Sequence, residues 1–231
     1  MTVKVCAVVT AVNIPDVKRM VEKAEQSNAD IIEIRMDYLS ENFNVEEIRK
    51  FTALPLIATN RFQREGGFFR GLNKERVEIL LDAAASGFDF IDIELMANHS
   101  KKIVKKIKAL GAKSIVSHHL FTLTPNLSEI TKIYQRELSV KGDVCKIITT
   151  AKKIEDNLTC LRFIVEASKS NDVVCFCMGE LGVISRLLSP VFGGYFTYAS
   201  VGKGKESAVG QFTVTETKKF YELIKNIDLE D

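Results

Sequence analysis

The sequence predicts an α/β fold, a (β/α)8 TIM barrel in a single domain, on three observations. Strand-like and helix-like segments alternate strictly through eight units. The strands are short and apolar, as in a parallel sheet covered by helices. The chain has 231 residues, so 1–231 is read as one barrel domain. A doubly wound open sheet is the alternative, weakened because no G-x-G-x-x-G follows the first strand.

In order, the first strand is read over residues 3–9 and its helix over 15–27. Strands at 30–36, 56–59 and 88–95 precede helices at 45–51, 74–86 and 100–110. The last of these keeps Ile103, Val104, Ile107 and Leu110 at helical spacing with lysines opposite, a solvated face rather than a nucleic-acid patch. A fifth strand at 114–118 and a helix at 127–138 follow. The sixth strand lies in 142–150, a Gly-Asp turn followed by apolar and β-branched residues, with a helix at 155–168. A seventh strand at 173–178 leads to a helix starting near Leu181. An eighth at 195–199 leads to a closing helix at 215–227. Two longer connections, 60–71 and 200–211, are rich in Gly and charge and follow strands three and eight, where barrel sites and lids are built.

Composition narrows the partners. A formal charge of +2 argues against nucleic acid or an anionic membrane surface. No apolar run approaches a membrane span, and the first nine residues lack a signal-peptide pattern. The five cysteines have no disulfide-framework spacing, and Cys175-Phe176-Cys177 is not C-x-x-C, so buried thiols in a cytoplasmic protein are expected.

Polar residues inside apolar strands carry the functional signal. Lys146 stands in the sixth strand. Burial disfavours its charge, which lowers its pKa and frees the amine to attack a carbonyl. The bland alternative is a lysine that snorkels to water. Alternation puts Glu33, Arg35 and Asp37 on one face, and Asp92 with Glu94 on another. It sets Ser117 and His119 against His118, Lys146 against Cys145, and Phe176 and Met178 against the two nearby cysteines. Singly, each has a structural explanation: Glu33 and Arg35 as an inward ion pair, Asp92 and Glu94 as metal ligands without supporting spacing, a histidine satisfied by packing. Together, at the C-terminal ends of strands two to six, they are too many buried charges for packing alone.

Seven segments then stand in a familiar order. They are Glu33-Ile34-Arg35-Met36-Asp37; Arg61 with Glu65-Gly66-Gly67; Asp92-Ile93-Glu94-Leu95; Ser117-His118-His119 with Thr124-Pro125; Lys146; Met178-Gly179 through Gly182-Val183-Ile184-Ser185-Arg186; and Ser207 with Gln211. The chain resembles the type I 3-dehydroquinate dehydratases, Schiff-base-forming enzymes of the shikimate pathway, over nearly its whole length. It departs from bacterial members at Leu120, often acidic there, and at His118, where they carry Asn or Tyr.

The resemblance implies dehydration of 3-dehydroquinate to 3-dehydroshikimate, the third step toward aromatic amino acids, by net syn loss of water. It implies Lys146 as the Schiff-base nucleophile and His119 as general acid and base, chosen over His118 by the Thr124-Pro125 spacing. Glu65 orients that histidine, and Arg186 clamps the substrate carboxylate. Glu33, Arg35 and Arg61 hold ring hydroxyls, Ser207 and Gln211 close over the ring, and Tyr198 and Met178 give apolar contact. Asp92 and Glu94 tune the charge. The implied partner is the small-molecule substrate alone, with no metal, no organic cofactor and a homodimeric state. On the residues alone, a class I aldolase-like barrel and a non-catalytic small-anion-binding barrel stay open.

Overall fold

Strand and helix alternate eight times in the computed structural model, which describes residues 3–40 and 43–225. The strands are β1 (Val5–Val9), β2 (Ile31–Arg35), β3 (Leu56–Thr59), β4 (Phe90–Glu94), β5 (Lys113–His119), β6 (Val144–Thr150), β7 (Asp172–Met178) and β8 (Thr197–Ser200). The helices are α1 (Ile14–Gln26), α2 (Val45–Arg49), α3 (Asn73–Ala85), α4 (Ser100–Ala109), α5 (Leu127–Val140), α6 (Asp156–Ala167), α7 (Val183–Leu188) and α8 (Val214–Lys225). The end of the expected closing helix, 226–227, lies outside the described residues. Among the described residues no helix is long and apolar enough to cross a membrane.

The sheet runs β7-β6-β5-β4-β3-β2-β1-β8, every pairing parallel. Pairing of β1 with both β2 and β8 curls it into a barrel. The closure is incomplete: β7 and β8 share no ladder. At this seam Tyr195 N donates to Val173 O at 2.8 Å. Aromatic side chains fill the rest, with Tyr198 edge-on to Phe196 at 5.2 Å and to Phe176 at 6.4 Å between ring centroids.

Alternation along the strands makes two apolar layers. Cys6, Val8, Ile57, Ile115, Val144 and Ile148 pack inside the barrel. The other face meets the helices; there Cys145, Cys175 and Cys177 pack with Cys160 and Ile164 of α6. All five cysteines are buried free thiols. Helix starts are set by local chemistry: Asn13 Oδ1 accepts from Asp16 N at 2.9 Å, and Asn126 Oδ1 from Glu129 N at 3.0 Å.

Three expectations about elements need correction. Asp37 is not on the second strand but in a 3-10 turn, Met36–Tyr38, that bends the chain over the barrel rim. The fifth strand runs one residue past His118, so His119 is held in the ladder opposite Ile148. The helix after β7 is preceded by a 3-10 turn, Glu180–Gly182, because Gly182 packs directly on Cys177.

Candidate active site

The C-terminal ends of the strands open into one cavity of about 110 Å³. Glu33, Arg35, Arg61, Glu65, His119, Lys146, Met178, Arg186, Tyr198, Ser207 and Gln211 all line it. Asp92 and Glu94 lie just beneath, buried behind the lining side chains. Phe176 lines it beside Met178, as alternation predicted, and Thr59 and Phe121 also line it and were not anticipated.

At the floor, inward residues of neighbouring strands meet. Lys146 Nζ, from the middle of β6, donates to Asp92 Oδ2 and to the Tyr198 hydroxyl, both at 2.9 Å. It lies 3.7 Å from Glu33 Oε1, and Glu33 accepts a hydrogen bond from Thr59 Oγ1 at 2.8 Å. Tyr198 is therefore more than the apolar contact expected of it. Burial, reinforced by Glu33, keeps its phenol protonated, well above the ordinary tyrosine value. Asp92 is the hub: its other oxygen accepts from Arg61 Nη2 at 2.8 Å and Ser117 Oγ at 2.7 Å. Burial opposes its charge, but Arg61 and Lys146 overcome that and hold the carboxyl well below the usual range.

The rim is tied by a second ion pair. Glu33 and Arg35 share a face but do not pair. Arg35 instead forks onto Asp37, Nε to Oδ1 at 2.9 Å and Nη2 to Oδ2 at 2.7 Å. The Asp37 carboxylate also accepts from Phe68 N at 3.1 Å, anchoring the 60–71 loop to the same arginine. Gly66, with φ of +77°, turns this loop under Phe121. The 200–211 loop is closed on itself by Ser207 N and Oγ donating to Gln211 Oε1 at 2.9 and 3.3 Å.

His119 projects into the cavity with its ring stacked on Phe121 at 5.9 Å between centroids. Burial, then the nearby cations Arg61 and Lys146, push its pKa well below the ordinary histidine value, leaving a neutral imidazole. Its Nδ1 is buried and makes no hydrogen bond; the expected bond from Glu65 is not formed here, although both residues line the cavity. His118, its strand neighbour, does not line the cavity, and burial followed by the charge of Arg136 on α5 lowers its pKa. Among the described residues no group of three or more His, Cys, Asp or Glu is arranged to hold a metal ion.

Arg186 stands apart from these pairs. It comes from α7, is buried, and lies 4.5 Å over the Phe176 ring. Its Nε and Nη2 make no hydrogen bond, and burial pushes the guanidinium down to about 10. Leaving a buried cation unpaired is costly, so the arrangement is suited to an anionic ligand arriving in the cavity.

Arg76 of α3 is a buried charge that sequence reasoning also missed. It is fully buried and donates from Nη1 to Glu94 Oε2 at 2.6 Å. The available signal was register: Arg76 falls in the same helical stripe as Leu80, Ala83 and Ala84, the face turned to the sheet.

The model of the family described as type I 3-dehydroquinase matches residues 5–228. A 3-dehydroquinate dehydratase of Dehalococcoides mccartyi is 36% identical over 217 residues, 94% of each chain. One from Methanothermobacter thermautotrophicus is 35% identical over 221 residues, 95% of this chain and 96% of that one. Among solved structures, the type I 3-dehydroquinate dehydratase of Clostridium difficile with covalent modified comenic acid has a TM-score of 0.88 and 26% identity, covering 97% of this chain and 93% of that one. The 3-dehydroquinate dehydratase of Aquifex aeolicus has a TM-score of 0.79 and 28% identity, covering 99% of this chain and all of that one.

Proposed function

The chain belongs to the type I 3-dehydroquinase family, and from that premise we propose that it dehydrates its substrate through a Schiff base on Lys146, with His119 as general acid and base. The activity is 3-dehydroquinate dehydration in the shikimate pathway. The observation that carries the lysine reading is its place: Nζ is at the cavity floor, held by Asp92 and Tyr198, with unpaired Arg186 on the same cavity.

Arg186 docks the substrate carboxylate through its planar fork. Glu33, Arg35 and Arg61 hold ring hydroxyls, Met178 packs on the ring, and Ser207 and Gln211 close over it. The Lys146 amine, as its free base, attacks the ring ketone; the carbonyl oxygen takes up protons and leaves as water, giving an imine. The protonated imine draws electrons from the neighbouring C–H bond. Neutral His119 removes that proton, and the electron pair flows into an enamine. The enamine then expels the tertiary hydroxyl, which takes the proton from His119. Hydrolysis releases the product and restores Lys146. Asp92 stays ionised and steadies the iminium, while Glu65 acts on His119 only once the loop tightens around substrate. A single catalytic domain over 1–231, a cytoplasmic homodimer and the absence of a nucleic-acid partner complete the proposal. They rest on the family resemblance and the near-balanced charge; sedimentation of the purified chain tests the dimer.

Borohydride with substrate or product should add one ligand mass to the intact protein and none to Lys146→Ala. His119→Ala should lose turnover by about 10²–10⁴-fold yet remain trappable, while His118→Ala keeps most activity. Equal labelling of Lys146→Ala would end the lysine assignment, and a dead His118→Ala beside an active His119→Ala would reverse the histidines.

A further inference from the structure

Arg76 lies outside the barrel wall, in the first turn of α3, yet its charge reaches the floor through a buried chain. Its Nη1 donates to Glu94 Oε2 at 2.6 Å and to Asn60 O at 3.1 Å, Nη2 donates to Asn73 Oδ1 at 3.2 Å, and the guanidinium sits 4.5 Å from the Phe62 ring centroid. It thus pins the end of β4 to the start of the 60–71 loop. The other Glu94 oxygen is 3.6 Å from Arg61 Nη1, a loose contact, whereas Arg61 holds Asp92 at 2.8 Å. Asp92 in turn holds Lys146. Signs alternate along Arg76–Glu94–Arg61–Asp92–Lys146, and every member is buried.

We propose that Arg76 is a positioning residue for the reaction: it engages Glu94 so that Arg61 stays on Asp92, and it thereby sets the charge presented to Lys146 and His119. This rests on the reading of Lys146 as the nucleophile. Without Arg76, Glu94 keeps Arg61 as its one cationic partner among the described residues and draws it off Asp92. Asp92 is then left to Lys146, which favours the ammonium over the free base. The whole site also becomes more negative by one charge, which favours the imidazolium of His119. The groups facing Lys146 are Asp92, Glu33 and Tyr198, with Cys6 from β1, Arg61 beside Asp92, His119 from β5 and Glu137 behind β6. Those facing Arg76 are Glu94, Glu65, Arg61 and Asp92. Loss of Arg76 moves the balance for Lys146 and His119 in one direction, toward protonation.

The test is the pH dependence of kcat/KM and of borohydride trapping in the intact enzyme. In Arg76→Met the acidic limb of both should move up by roughly one pH unit, the size expected for one charge roughly 12 Å away at an effective permittivity of about 20. Arg76→Lys keeps the charge and should keep the wild-type midpoint. Glu94→Gln should move the limb down, and the Arg76→Met/Glu94→Gln pair should return it toward wild type. A merely structural arginine would lower melting temperature in Arg76→Met and leave both midpoints in place; that result overturns the proposal. Should Arg76→Met not fold, an unmoved midpoint in Glu94→Gln overturns it equally. Failure to trap the wild-type chain would sink the lysine reading instead, and the kcat/KM profiles would still decide whether Arg76 sets the charge of the site.

Discussion

At the scale of single residues, the site is a set of paired charges with one left over. Lys146, Arg61, Arg76 and Arg35 each face a carboxylate, while the Nε and Nη2 of Arg186 are buried without a hydrogen bond. A buried cation without an acceptor is tolerated where a ligand supplies one. The fork matters as well as the charge, because a carboxylate takes two parallel N–H bonds from guanidinium and only a point contact from ammonium. Arg186→Lys is accordingly expected to raise KM nearly as much as Arg186→Ala, by at least about tenfold, the loss of one charge-assisted hydrogen bond. Steady-state kinetics checks this, and an unchanged KM in Arg186→Lys would place the carboxylate elsewhere.

Elements position these residues by close backbone approach. Arg186 is carried by a short helix whose entry is fixed at one point: a Cβ on Gly182 would lie 2.5 Å from Cys177 O and 2.8 Å from Cys177 Cβ. Ser185 reinforces the contact, its Oγ accepting from Cys177 N at 2.9 Å. Nothing there is a flexible side-chain end, so α7 must lift off β7 if the space is filled. Gly182→Ala should therefore displace Arg186 by a fraction of an ångström to about an ångström, enough to cost up to about 10²-fold in kcat/KM. Lys146, on the neighbouring strand β6 with its amine held by Asp92 and Tyr198, should still be labelled by borohydride at saturating ligand. Wild-type kcat/KM in Gly182→Ala would show that α7 is not the lever for Arg186.

For the whole molecule, acids buried among the strands and helices couple stability to pH. Glu137 of α5 is fully buried against β6, beside Cys145 and the Lys146 backbone, and burial raises its carboxyl well above the ordinary value of 4.5. Cys145, Asp92 and Lys146 are the groups that act on it. Its folded pKa is raised, so below the unfolded pKa both states hold the proton and folding bears no penalty. As pH rises past that point the unfolded chain ionises first, and stability falls until the folded pKa is reached. Asp92 has the opposite sign: its folded pKa is depressed, so its contribution is present at neutral pH and lost in acid. Glu137→Gln should raise the melting temperature near pH 7 by about 2–4 °C, the shift for about 1 kcal/mol in a chain of this size. The gain should vanish below about pH 4. Calorimetry at the two pH values measures it, and a variant equally stabilised or destabilised at both would show that Glu137 is not a buried acid.

The barrel and most of the site were legible in the sequence because both depend on local pattern. Eight apolar segments of strand length each followed by an amphipathic helix admit few arrangements. Alternation then dictated that Ser117 and His119 share a face, as do Val144, Lys146 and Ile148, since period two follows from backbone geometry. What tertiary structure alone decided is which charges meet. Arg35 chooses Asp37 over Glu33 because a 3-10 turn carries Asp37 back over the rim, a bend that strand periodicity does not contain. Tyr198 meets Lys146 through its hydroxyl because β8 curls round to β1, bringing residues 52 apart in sequence within 2.9 Å. Arg76 joins the site because α3 packs on the β3–β4 edge with its first turn facing Glu94. Pairing of charges across elements is a long-range choice, set by distances of a few ångströms that only the closed barrel defines.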